Sequence, residues 1–168
     1  MISSLLTFSS RRRGVSKLAI FTEGQTEQIF VERLLYEIVK ARHLQIEAVK
    51  AFGGTRHQRI TYTVNAAAPL SQTKFFVLLW DCGTDSRVTS DVKDQYQSLV
   101  ASGYSAILAL RDVRPDFGLH EITKLKSAFS AQLPEQPIRP QLFFAALEIE
   151  AWFLAEYTHF QRIDPALT

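Results

Sequence analysis

The 168-residue chain contains one cysteine, Cys82, which excludes an intrachain disulfide and any zinc site built from several thiolates. It has no apolar run approaching ~18 residues, so no segment reads as a membrane span. An excess of charge of one sign is also missing. Lys and Arg number 19 against 17 Asp and Glu, and the net charge of +2 does not by itself announce a nucleic-acid binder. There is no Walker-type glycine loop, no G-x-G-x-x-G, no G-x-S-x-G and no H-E-x-x-H. Repeats, low-complexity runs and dividing linkers are absent too. Residues 1–16 lack the order of a secretory signal, because Arg11, Arg12 and Arg13 follow the short Leu5-Leu6 patch rather than precede it. This serine-rich segment reads as a disordered tail, with a basic arm touching phosphates as the alternative. These features together lead us to expect a cytoplasmic protein.

What is present is the balance of a soluble globular domain, with 46% hydrophobic and 21% charged residues. The length suits a single domain over residues 17–168. Its organising stretch is residues 17–35. Leu18 to Phe21 is a short apolar run suited to a strand covered on both faces. Gly24 turns the chain, and Thr26 can cap a helix running from about Glu27 to His43, with Ile29, Phe30, Leu34, Ile38 and Val39 as its apolar stripe. Glu23 stands at the joint, either as a chemical group at a strand end or as a solvated loop glutamate.

Leu44 to Phe52 reads as a second strand ended by Gly53-Gly54. A helix is expected over Thr55–Ala68, closed by Pro69, with Arg56, His57 and Arg59 near its start, facing either a phosphate or solvent. Lys74 to Trp80 is the strongest strand signal and must be central in the sheet. Asp81 follows it at once, then Cys82, Gly83, Thr84 and Asp85. Thr89 or Ser90 caps the next helix, whose stripe is Val92, Tyr96, Leu99 and Val100, ended by Gly103. Tyr104–Leu110 is the fourth strand and leads into Arg111, Asp112, Arg114 and Asp116. Leu119, Ile122, Leu125, Phe129 and Leu133 mark a further helix, and Pro140–Leu147 a last strand. Glu148 and Glu150 then open a helical pattern of Ile149, Trp152, Phe153, Tyr157 and Phe160, which reads as a core stripe rather than a base-stacking platform.

Alternating strands and helices imply an α/β fold, with a mainly parallel sheet of four to five strands and helices on both faces. Glu23, Asp81, Asp112 and Glu148 then fall at C-terminal strand ends, on one edge of the sheet. Carboxylates gathered there repel one another unless a cation lies between them. Mg²⁺ (or Mn²⁺) suits this oxygen-only set of Glu23, Asp81, Asp112 and Glu148, and it leaves room for a phosphate-bearing substrate. Arg56, Arg59, Arg111 and Arg114 are the candidate substrate-binding cations.

The segment Thr22-Glu23-Gly24-Gln25-Thr26-Glu27 through Phe30-Val31-Glu32-Arg33-Leu34-Leu35, with Asp81 after a later strand and Glu148-Ile149-Glu150-Ala151-Trp152, resembles the Toprim domains of topoisomerases, primases and OLD-type nucleases. It also looks like a bacterial Toprim-like group often associated with phage defence. The likeness covers most of residues 17–157 and implies a Toprim/Rossmann-like fold. It further implies that Glu23 acts as general acid or base, and that Asp81 holds Mg²⁺ during phosphodiester chemistry. The chain departs from the family pattern at Asp81-Cys82-Gly83, where glycine replaces the second acid of an Asp-x-Asp pair, leaving Asp85, Asp112 or Glu148 to fill the gap. Because members of the group run on past this point, the resemblance also implies a domain that continues beyond Thr168.

Two functions follow as expectations. One is a Mg²⁺-dependent phosphodiesterase acting on DNA or RNA, with catalytic residues Glu23 and Asp81. The other is a non-catalytic binding or regulatory module serving a protein partner in a defence complex. A homodimer fits either, and neither calls for a membrane.

Overall fold

The computed structural model describes residues 15–39, 43–55, 58–66, 73–113 and 117–145. These form β1 (Ser16–Thr22), α1 (Gln25–Val39), β2 (Leu44–Thr55), β3 (Gln58–Ala66), β4 (Phe75–Asp81), α2 (Val88–Ala101), β5 (Ala106–Asp112), α3 (Ile122–Gln132) and β6 (Gln141–Ala145). The sheet order is β3-β2-β4-β1-β5-β6. Five strands run parallel, and β3 pairs antiparallel with β2 at one edge. This is a mainly parallel α/β sheet of the Toprim/Rossmann-like kind.

Alternation along β1 divides the core in two, because successive side chains of a strand point to opposite faces. Ala19 and Phe21 join Trp80, Val92, Tyr96, Ile107 and Phe129 beneath α2 and α3. Ile20 joins Val31, Ile46, Val77 and Leu79 beneath α1. The helices therefore cover both faces. Phe21, Leu79 and Ile107 are fully buried, which explains why β1, β4 and β5 read as near-continuous apolar runs.

Several elements differ from the sequence expectation. Residues 58–66 form a strand and not a helix. Ile60, Thr61, Tyr62, Thr63 and Val64 are β-branched or aromatic, and that run favours a strand over the weak i, i+4 spacing of Ile60 and Val64. The strand β2 continues through Gly53-Gly54 instead of ending there. Gly53 has φ +51° and the β2–β3 register shifts between Phe52 and Thr55, so the glycines make a bulge rather than a stop.

The helix α1 is rotated from the expected stripe, of which Phe30 and Val39 still pack against the core. Glu27, Gln28 and Val31 are its buried residues, while Ile29, Leu34 and Ile38 are 42–67% exposed. Gln28 explains the rotation. Its Nε2 donates to the carbonyls of Val49 and Leu79, both at 3.1 Å, and so fastens the helix across β2 and β4. Thr26 lies inside the first turn, not at the cap. The helix α2 begins at Val88 after a short 3-10 turn, Asp85–Arg87, and Ser90 Oγ donates back to the Arg87 carbonyl at 2.9 Å. Of the expected features, the tail over residues 1–14 and the segment from residue 146 onward lie outside the described residues. Ser16, expected in the tail, already belongs to β1.

Candidate metal centre

The path of the chain places β1 at a change of direction. From β1, α1 leads over one face to β2, whereas the helices following β4 and β5 cover the opposite face. Neighbouring strands whose connections leave on opposite faces open a crevice at their C-terminal ends, and open α/β sheets bind ligands there. Glu23 follows the end of β1, Asp81 ends β4 and Asp112 ends β5. Thr22 pairs with Asp81 in register, and its Oγ1 lies 3.2 Å from the Gly24 carbonyl and 3.3 Å from the Trp80 carbonyl, fixing the turn that carries Glu23.

Three carboxylates converge in this crevice. Glu23, Glu27 and Asp112 each offer an oxygen within 4.8 Å of the others. Glu27 arrives because one helical turn separates it from the joint, on the face of α1 turned toward the sheet. It is 6% exposed, and Asp112 is 9% exposed. Glu23 is the most open of the three, and its Oε2 accepts the Asp112 backbone N–H at 3.1 Å. Gly24 makes the approach possible. A Cβ at that position would lie 3.1 Å from Glu27 Oε2, tighter than most side-chain contacts.

Burial pushes the Glu23 carboxyl above its ordinary range, and the negative charges of Glu27 and Asp85 push the same way. The Asp112 N–H and the Arg111 guanidinium pull it down without cancelling the rise. A divalent cation would relieve this repulsion. The donor set is oxygen-only and compact, which fits a hard ion such as Mg²⁺ or Mn²⁺ and does not suit a soft one.

Asp81 stands outside this trio. It is 1% exposed, its Oδ1 accepts the Gly83 N–H at 2.8 Å, and its Oδ2 faces Lys50 Nζ at 3.8 Å. The Asp81-Cys82-Gly83 sequence therefore turns its glycine amide back onto the aspartate, with Gly83 at φ +78°. Asp85 is likewise engaged, accepting from Arg111 Nη2 at 2.7 Å, while the Arg111 guanidinium lies 5.0 Å from the Phe117 ring centre. Of the other expected site residues, Arg56, Arg114 and Glu148 lie outside the described residues, as does the side chain of Arg59 within β3. The expected helix around Trp152 does so too.

The chain matches no protein-family model, no curated protein and no solved structure. The site thus stands on its own geometry. On the far side of Asp81 a cleft of about 430 Å³ opens between the end of β2, the loop after β4 and the start of α1, with Lys50, Phe52, Thr84 and Arg87 among its walls. Sequence reasoning missed Glu27 and Lys50. Glu27 has a legible signal, a carboxylate one helical turn after a strand-end glutamate. Lys50 has none, since only the parallel register with β4 sets it opposite Asp81.

Proposed function

We propose that this protein is a Mg²⁺-dependent phosphodiesterase acting on nucleic acid in the cytoplasm, related to the Toprim-like group and to its role in phage defence. The observation that carries the reading is the convergence of Glu23, Glu27 and Asp112 at the C-terminal edge of the sheet, where the connections change face. A divalent ion held there would supply a Lewis acid for the phosphate and charge stabilisation for the leaving oxygen. Glu27 and Asp112, the two more buried acids, are suited to hold the ion. Glu23, more open and with its proton affinity raised, is suited to pass a proton to or from the reacting oxygen. Asp81 keeps Lys50 at the neighbouring strand end, where an ammonium offers a contact to the phosphate backbone.

A second reading, a binding module without catalysis, has one observation in its favour. Asp81 is occupied by Gly83 and Lys50, and so is drawn away from the role the family pattern gives it. Hydrolysis of single- and double-stranded DNA and RNA, titrated with Mg²⁺, separates the two. Wild type is expected to cleave at least one of these substrates. Glu23→Gln should lower turnover by ~10²–10⁴ while retaining most ion affinity, as for a positioned proton-transfer group. Asp112→Asn and Glu27→Gln should lose affinity for the ion as well. Absence of cleavage by wild type at every Mg²⁺ concentration, or full turnover by Glu23→Gln, contradicts the phosphodiesterase reading.

A further inference from the structure

We infer that the cleft beside Asp81 is a nucleotide subsite, holding one phosphate between Lys50 and Arg87 and stacking the attached base on Phe52. Its role in turnover rests on the phosphodiesterase reading, whereas the binding itself does not.

The charges of the walls come first. Among the described residues, Lys50 and Arg87 are the cationic side chains lining the cleft and Asp81 is the anionic one, so these walls favour an anion while the carboxylate trio favours a cation. Lys50 Nζ is already oriented by Asp81 at 3.8 Å, yet the lysine side chain remains 34% exposed and can reach a ligand. Gly24 and Gln25, at the start of the 15-residue helix α1, form another part of the wall, where the first backbone N–H groups and the helix dipole favour negative charge.

The apolar wall has the complementary property. Phe52 lies two residues beyond Lys50 on β2, and it is 44% exposed at the cleft. An aromatic face beside two cations is the combination that holds a base next to its phosphate. A volume of about 430 Å³ falls within the usual range for small-ligand sites and suits one nucleotide unit. Because Gly24, which lines the cleft, directly follows Glu23 of the carboxylate trio at the end of β1, a base lodged on Phe52 belongs to a nucleotide adjacent to the scissile phosphate. The base must be unpaired to stack, so the preferred substrate is a single strand or a frayed end.

The test is equilibrium binding of deoxyadenosine monophosphate, deoxyadenosine and inorganic phosphate to the full chain in EDTA. The nucleotide should bind more tightly than either fragment. Phe52→Ala should weaken the nucleotide about tenfold while leaving phosphate unchanged, and Phe52→Trp should restore it. Arg87→Ala should weaken both nucleotide and phosphate. Unchanged melting temperatures of these variants exclude loss of fold. These losses in a protein without nuclease activity would uphold the subsite and remove the phosphodiesterase reading. Cleavage with unchanged KM in both Phe52→Ala and Arg87→Ala would do the reverse. No binding of the nucleotide at millimolar concentration, or equal affinity in wild type and Phe52→Ala, overturns the inference.

Discussion

Glu23 carries a conflict that its neighbours create. A carboxylate that is partly buried and faces Glu27 and Asp85 is held protonated to higher pH than in the unfolded chain, where it titrates near 4.5. The folded protein then binds more protons than the unfolded one between the two values, and stability must fall as pH rises through that window. The stabilising share is complete below pH 4.5 and lost once pH exceeds the raised folded value. In EDTA, Glu23→Gln should therefore melt at a higher temperature than wild type at neutral pH, and the difference should vanish in acid. Thermal melts across a pH series check the sign. A second expectation concerns Gly24. Since an added Cβ would meet Glu27 Oε2 at 3.1 Å, Gly24→Ala should displace that carboxylate and weaken Mn²⁺ binding in calorimetry, with little change in melting temperature. The sequence made Glu23 and Asp112 visible because each stands beside a strand end. Glu27 was hidden by reading its helix from the apolar residues alone.

At the scale of elements, α1 shows why hydrophobic periodicity located helices better than it oriented them. Ile29, Phe30, Leu34, Ile38 and Val39 suggest one buried face, of which Phe30 and Val39 pack on the core, but Gln28 holds the helix to the sheet with hydrogen bonds that an apolar stripe does not register. Gln28→Met keeps the volume and removes both hydrogen bonds to the Val49 and Leu79 carbonyls. Leaving buried acceptors unsatisfied costs ~1–3 kcal/mol, and a chemical denaturation midpoint should move accordingly. The strand β3 was missed for the opposite reason. Ile60 and Val64 fit a helical spacing, but the β-branched run around them is a property of composition, and the pairing with β2 decided it. The apolar runs of β1, β4 and β5 were legible without ambiguity, because a strand buried on both faces leaves little room for polar residues.

The whole molecule is a scaffold for one edge of its sheet. Five parallel strands with helices on both faces bring the ends of β1, β4 and β5 side by side, with the connection from β1 leaving on the opposite face from the other two. The result is a division of charge. Glu23, Glu27 and Asp112 gather on one side of the crevice, where Arg111 paired with Asp85 also acts on Glu23, and Lys50 and Arg87 line the other, with Asp81 between the strands. The proposed metal-assisted reaction on a polyanion rests on that division, with the acids set to hold an ion and the cations to meet a phosphate. The sequence revealed the edge but not this partition, which depends on the register of β2 against β4 and on the turn of α1.

The most direct measurement is anomalous diffraction from crystals soaked in Mn²⁺. The expected result is a peak bonded by Glu27 and Asp112, with Glu23 in the same shell directly or through a water, and loss of that peak in Asp112→Asn. A peak on Asp81 alone, or no peak among the three carboxylates at saturating Mn²⁺, would contradict the proposed metal centre.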